Sequence, residues 1–269
     1  MAGRPSELMY VETPLLEQLK KLGWTVVQLD DSEKHDPQKS FRESFSEVVI
    51  VSRLKASLKR LNPWLNDVQV DDLCRQVQDY PHPLKQVLEN NEEVYDRITE
   101  GLSADNEETG EINCPVRLID WTDVDAYDGP DATDNDFLAI SQYKVRIPGK
   151  EEHIIPDIVL FVNGLPLVVI ECKAPDITEP MAEGIDQLMR YQNRRGAEEP
   201  EGVPELFYFN QIVIMCPLSV IDYVVVHELS HITYKNHSPA FWARVKTVLP
   251  TYEDDQDWLK VNKKLMEII

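Results

Sequence analysis

Asp157 stands near the head of one apolar run, IIPDIVLFV, and Glu171 and Lys173 close a second, PLVVIECK. Two carboxylates a few ångströms apart make a hard-oxygen site for Mg²⁺, an ion that prefers carboxylate, water and phosphate oxygens. A lysine beside them can orient or help deprotonate an attacking water, and it can balance the charge that gathers on a phosphate in the transition state. Nearer the C-terminus, VIDYVVVHELSHITYKNH carries an H-E-x-x-H motif. His227 and His231, one helical turn apart, can reach one Zn²⁺ from the same helix face. Glu228 can then act as general base on a metal-bound water, and His237 can supply a third nitrogen.

The elements that must position the first set are two strands. Asn163-Gly164 lies between them and signals a tight hairpin. With the turn running through residues 163 to 166, Val162 faces Leu167 and Asp157 faces Cys172, so Asp157 lies beside both Glu171 and Lys173. Glu171 and Lys173 are two apart on a strand and share a face. Pro156 cannot donate to a ladder, so the strand bends or lies at an edge at Asp157, which is where a site can open. A short D…E-x-K pattern also occurs on solvated hairpins. Here the strand carrying Glu171 is apolar up to its end, where a wet face would have shown polar alternation earlier.

The flanking sequence falls into two textures. Leu8 to Leu22 spaces its leucines at three and four residues before Gly23, and reads as an amphipathic helix. A second helix, with Ser44 or Ser46 as a cap, runs up to Asn62-Pro63; 71–79 and 83–101 add two more, so the first hundred residues are expected to be mostly helical. Strands are expected from Pro115 onward: 135–145, the hairpin, and 206–216, with a helix over 179–195. DVDAYDGPDATDND reads as a loop. Beyond 216, a helix through the H-E-x-x-H motif and another over 239–249 form a separate module.

The net charge of −21 argues against a free-standing, non-specific DNA binder, whose phosphate contacts require Lys and Arg. Sixteen acids against two arginines between Glu89 and Asp136 account for −14 of it. No apolar run approaches the roughly 20 residues of a membrane span and no export signal is visible, so a soluble, cytoplasmic protein is expected. Cys74, Cys114, Cys172 and Cys216 show no paired spacing and are expected to be reduced core residues.

PDIVLFVNGLPLVVIECKAP, the preceding DFLAISQYKV and the following GIDQLMRYQNRR resemble the nuclease core of type I restriction enzyme R subunits, over most of residues 1–216. The resemblance implies an α/β chain with a restriction-endonuclease-like PD-(D/E)xK core behind an N-terminal helical region. It implies that Asp157 and Glu171 hold Mg²⁺, that Lys173 is the catalytic lysine, and that Gln187 and Tyr191 form a Q-x-x-x-Y element. A glutamate of the first helix, Glu7, Glu12 or Glu17, completes such a site. The implied activity is a Mg²⁺-dependent DNA endonuclease module of a type I restriction-modification system. DNA and the methylation and specificity subunits are its expected partners. The sequence contains no G-x-x-x-x-G-K-[ST], so the ATP-driven motor of such subunits is not expected here. In the full family the motor and partner subunits grip the DNA, which accommodates an acidic nuclease segment.

Residues 217–269 resemble the C-terminal end of YgjP-like, WLM-type zinc metallopeptidases. That resemblance implies a helical zincin-like fragment with His227, His231 and His237 on Zn²⁺ and Glu228 as base. A zincin also needs an upstream sheet whose edge strand holds the substrate. The only strand there, LFYFNQIVIMC, belongs to the nuclease resemblance, so the junction near Cys216-Pro217 reads as a join between two truncated families, 1–216 and 217–269. The alternatives to a nuclease are a zinc metallopeptidase and a catalytically idle fused remnant that serves as a metal-binding or interaction module.

Overall fold

Leu138, Ala139 and Ile140 on one strand, and Ile158, Val159 and Phe161 on the next, are fully buried. Strands that read as continuous apolar runs are those covered on both faces. The computed structural model describes residues 12–79, 86–121, 133–173, 180–217, 227, 236–249, 252–253 and 256–257. In chain order the described elements are α1 (Thr13–Lys21), β1 (Thr25–Val27), α2 (Val51–Leu61), α3 (Asp67–Gln78), α4 (Val87–Glu100), β2 (Leu102–Asn106) and β3 (Glu111–Val116). They continue with β4 (Phe137–Ser141), β5 (Val145–Arg146), β6 (His153–Ile154), β7 (Ile158–Val162), β8 (Leu165–Lys173), α5 (Pro180–Tyr191), α6 (Pro204–Phe209), β9 (Ile212–Pro217) and α7 (Pro239–Val248). A mixed sheet of order β1-β4-β7-β8-β9 is accompanied by two small two-stranded sheets, β2-β3 and β5-β6. β1 runs parallel to β4, and β4-β7 and β7-β8 are antiparallel.

The chain divides into two compact units, the larger formed by Glu12–Glu171 with Ile185–Ile214. The described part of the smaller unit comprises 172–173, 180–184, 215–217, 227, 236–249, 252–253 and 256–257.

The hairpin joining β7 to β8 differs from the sequence expectation by one residue. Val162 faces Leu165, so the turn is the two residues Asn163 and Gly164, both left-handed (φ 54° and 83°). That is the backbone of a type I′ turn, the one whose twist matches paired strands. A register shift then leaves Leu167 as an extra residue in β8: Phe161 pairs with Pro166 but Leu160 with Val168. From there the ladder runs through Val159↔Val169 to Ile158↔Ile170, so its next step sets Asp157 opposite Glu171 rather than Cys172.

The turn is also a fastening point. The Ile50 amide donates to the Gly164 carbonyl at 2.9 Å, and a Cβ at Gly164 would stand 2.6 Å from the Ile50 carbonyl oxygen. The hairpin therefore occupies the place of the serine cap expected for α2, whose N-cap is Ile50 without a side-chain bond. Asn163, fully buried, donates through Nδ2 to the Leu118 carbonyl (2.9 Å) and Asn135 Oδ1 (2.8 Å), while its Oδ1 accepts from the Asp136 amide (2.8 Å). Asn163→Ala would strip these buried partners and force a Cβ-bearing, non-Asn residue into the left-handed region. We expect a loss of about 3 kcal/mol or more, read as a fall in the urea midpoint. A change within experimental error would show that the network is dispensable.

Several elements depart from the sequence reading. β1 lies within the region expected to be mostly helical, and β2-β3 form a hairpin just before Pro115 and across it. Residues 206–216 are not one strand: Pro204 opens α6, which buries Leu206, Phe207, Tyr208 and Phe209, and β9 begins at Ile212. An apolar run buried all round has no period to reveal. Asn91 Nδ2 closes α6 by donating to the carbonyls of Tyr208 (3.0 Å) and Asn210 (2.9 Å). Cys74 and Cys172 are buried free thiols as expected, whereas Cys114 is partly exposed. Among the described residues no helix is long and apolar enough to cross a membrane.

In the smaller unit, α7 is capped by Ser238, whose Oγ accepts from the Phe241 amide at 3.3 Å, with Pro239 in the first turn. Phe241, Val245 and Tyr252 form a small core with Trp242 and Leu249 packed against it.

Candidate active site

Asp157 and Glu171 are both buried, at 8% and 1% exposure. Directly opposed residues of an antiparallel pair project to the same side of the sheet with Cα atoms about 4.5–5.5 Å apart, so the register brings these two carboxylates to one face. Bringing two ionised carboxylates together away from water is unfavourable unless something compensates their charge.

The three candidate glutamates stand differently. Glu17 is exposed on α1 and Glu7 lies outside the described residues, while Glu12, immediately before α1, is 2% exposed. Gln142 ties it to Asp157: its Nε2 donates to both carboxylate oxygens of Glu12 (3.2 and 3.1 Å) and lies 3.4 Å from Asp157 Oδ1. Gln142 was not a candidate from the sequence. The available signal was a polar residue directly after the apolar strand FLAIS, and that reads equally well as the start of a loop.

Gln187 and Tyr191 lie one helical turn apart on α5 and touch: Gln187 Nε2 donates to the Tyr191 hydroxyl at 2.7 Å. That hydroxyl in turn donates to the Ile155 carbonyl at 3.1 Å, anchoring the segment that carries Pro156 and Asp157. Burial, with the negative charges of Glu171 and Asp157 adding to it, pushes the Tyr191 hydroxyl up to about 12, while the Gln187 bond opposes the shift. Tyr191 is therefore a permanent donor at ordinary pH. Gly202 makes its seat, because a Cβ there would stand 2.2 Å from the Tyr191 carbonyl oxygen, and the Val203 amide donates to that same oxygen at 2.8 Å.

The shift predicts alkaline behaviour. Burial also pushes Tyr143 up to about 12, partly offset by the Arg42 guanidinium over its ring. A folded-state pKa above the unfolded one, about 10, contributes stability that is complete below pH 10 and lost as pH rises through about 12. Each tyrosine accounts for on the order of 3 kcal/mol of that loss. Urea midpoints should therefore fall steeply between pH 10 and 12, and less steeply in Tyr191→Phe; equal slopes in the two proteins would contradict this.

Lys173 is the last residue of β8, two beyond Glu171, and is 4% exposed. It belongs to the smaller unit, where a Cβ at Gly184 would come 3.6 Å from its Cε. In the same unit His227 and His237 meet, with Nε2 atoms 3.0 Å apart and ring centroids 4.9 Å apart. Phe241 packs edge-on against both rings. The capped start of α7 sets His237 immediately before Ser238. Glu228 and His231 lie outside the described residues. Among the described residues no group of three or more His, Cys, Asp and Glu side chains converges as a metal cage.

The chain matches the family described as "Type I restriction enzyme R protein N terminus" over residues 4–219. A second match, to "YgjP-like, metallopeptidase domain", covers residues 206–262. The type I restriction enzyme HindI endonuclease subunit of Haemophilus influenzae is 30% identical over 206 residues, 76% of this chain and 18% of that protein. A Methanocaldococcus jannaschii protein, named as a candidate type I restriction enzyme MjaIXP endonuclease subunit, is 23% identical over 80% of this chain and 19% of its own length. A candidate MjaVIIIP endonuclease subunit from the same organism is 27% identical over 80% of this chain and 18% of its own length. The chain thus spans 18 to 19% of the length of these curated relatives. With four-fifths of its residues inside the first match, the chain belongs to the family of type I restriction enzyme R protein N-termini.

Proposed function

We propose that this chain is the Mg²⁺-dependent DNA endonuclease module of a type I restriction-modification system, with a PD-(D/E)xK-type centre. The observation that carries the reading is the meeting of buried carboxylates: Asp157 and Glu171 one step beyond the Ile158↔Ile170 pair of the hairpin, and Glu12, distant in sequence, joined to Asp157 through one amide. This donor set suits Mg²⁺, which is commonly held by one or two carboxylates with water and substrate phosphate completing its shell, and so needs no cage of three protein ligands. Asp157 and Glu171 would hold the ion, with Glu12 completing the site. When bound, it supplies Lewis-acid polarisation of the scissile phosphate.

The chain's own side chains do the rest. Lys173 orients the attacking water and balances charge on the phosphate. Tyr191, kept protonated and braced by Gln187, fixes the Ile155-Pro156-Asp157 segment so that the Asp157 carboxylate need not reorganise. DNA and the methylation and specificity subunits are the proposed partners; the acidic surface assigns most of the DNA grip to them. Incubation of purified protein with supercoiled plasmid should give nicked product with Mg²⁺ or Mn²⁺, without ATP, and none with EDTA. Cleavage that persists in EDTA, or no cleavage with either metal, overturns the reading.

A second reading concerns residues 217–269, taken as a zincin-like fragment joined to the nuclease domain of 1–216. It is favoured by the 3.0 Å approach of the His227 and His237 Nε2 atoms. Two nitrogens on one tetrahedral zinc at about 2.0–2.1 Å stand about 3.4 Å apart, close to this spacing. We propose that His227, His231 and His237 bind Zn²⁺, with Glu228 as the base if peptides are cleaved at all.

A further inference from the structure

We propose that Gln142 is a positioning residue of the carboxylate centre, holding Glu12 and Asp157 at the spacing that a divalent cation requires. The inference rests on the nuclease reading and adds to it a residue that the resemblance did not supply.

Three independent observations meet at this residue. First, its backbone is left-handed, with φ 53°, a conformation that costs a residue other than Gly, Asn or Asp about 1–2 kcal/mol and persists where the surroundings impose it. Second, the surroundings do impose it. The Gln142 amide donates to the Asp157 carbonyl at 2.7 Å and the Tyr143 amide to the Pro156 carbonyl at 3.1 Å, so pairing with the Asp157 segment continues past the end of β4. On the other side, Ser141 Oγ accepts from the Leu29 amide at 3.1 Å. The residue is thus bonded through its main chain to the segment whose side chain it also meets.

Third, one Nε2 serves two acids. Its distances of 3.1 to 3.4 Å are longer than the usual 2.9–3.0 Å for such bonds, as expected for one amide nitrogen shared among three oxygens. The two carboxylates approach the same point from just before α1 and just before β7, elements that share no local sequence. Without a donor between them, like charges would drive their side chains apart. The neutral amide offsets part of that repulsion without adding a full positive charge, so an incoming dication remains strongly favoured over it.

The register explains why a glutamine can do this. Ser141 pairs with Ile158, so the next step of the β4-β7 ladder sets Gln142 opposite Asp157, on the same side of the sheet. With a divalent cation bound, Glu12 and Asp157 would have their charge compensated by the ion, and the Gln142 amide oxygen would be available as a further hard donor.

The test uses the full chain and Mn²⁺ as probe, titrated without DNA and followed by electron paramagnetic resonance, with Asp157→Asn as background for the acidic surface. Gln142→Gly removes the amide and relieves the φ strain, so it should remain folded. Its Mn²⁺ Kd should rise about tenfold. Gln142→Glu places a third carboxylate at the same point and should tighten Mn²⁺ several-fold at pH 8, an effect that a merely structural residue would not produce. A wild-type protein that binds no Mn²⁺ above background overturns the nuclease reading, and this one with it. A wild type that binds Mn²⁺ through Asp157, with a Kd unmoved in both Gln142 variants, overturns this inference alone.

Discussion

Asp157→Asn and Glu171→Gln should each lower Mg²⁺-dependent plasmid nicking by at least about 10³-fold, equivalent to about 4 kcal/mol of transition-state stabilisation. Both substitutions keep the shape of the side chain and remove its charge, so they isolate metal retention from packing. Each carboxylate is buried beside another acid, so neutralising one also relieves repulsion within the pair. The expected signature is therefore an inactive protein that remains folded. Lys173→Met should give a comparable loss of rate through charge balance. Rates within tenfold of wild type for either acid would place the chemistry elsewhere in the chain.

Purified protein should carry one zinc per chain, and His227→Ala or His231→Ala should reduce that content to background. The local segment can make the chelate by itself: His227 and His237 already converge, and the Ser238 cap with the Phe241, Val245 and Tyr252 core fixes the start of α7 beside them. Zinc affinities of small sites correspond to apparent free energies of about 10–16 kcal/mol at neutral pH, so loss of the ion should also loosen this small core. Intrinsic fluorescence of Trp242, stacked on His237, offers the readout. Peptide hydrolysis needs in addition an edge strand to hold the substrate, so casein cleavage should be negligible. Zinc content unchanged by these substitutions would remove the site. Robust cleavage dependent on Glu228 would instead place peptidase chemistry ahead of nuclease chemistry.

The central hairpin could be read from the sequence because its signals agree: Asn163-Gly164 suits a two-residue turn, and the flanking runs are apolar enough to be buried on both faces. Asp157 and Glu171 as neighbours follow from that hairpin, whereas Gln187 and Tyr191 are singled out only by the family resemblance. The register was not legible, since no residue type announces that Leu167 will be the extra one in β8. Nor was the choice among three glutamates. Helical spacing fixes which faces of α1 are apolar, but the contact of Glu12 with Gln142 joins residues far apart in sequence. β2 and β3 are hidden for the opposite reason, being largely exposed and holding Asp105, Asn106, Asn113 and Pro115, residue types that disfavour strands. α6 was mistaken for a strand because four consecutive buried residues leave no polar face to count.

The extra residue in β8 makes the site a matter of parity. A two-residue turn with an unbroken ladder would set Ile170 opposite Asp157 and send Glu171 to the reverse side of the sheet. Leu167 adds the single step that restores the phase, and its carbonyl is itself engaged by the Gln211 amide at 2.8 Å, next to β9. Residues 163–171 should consequently tolerate exchange of one apolar side chain for another far better than any change in their number. Deleting one residue would leave the composition almost untouched while turning the acid of the site inside out.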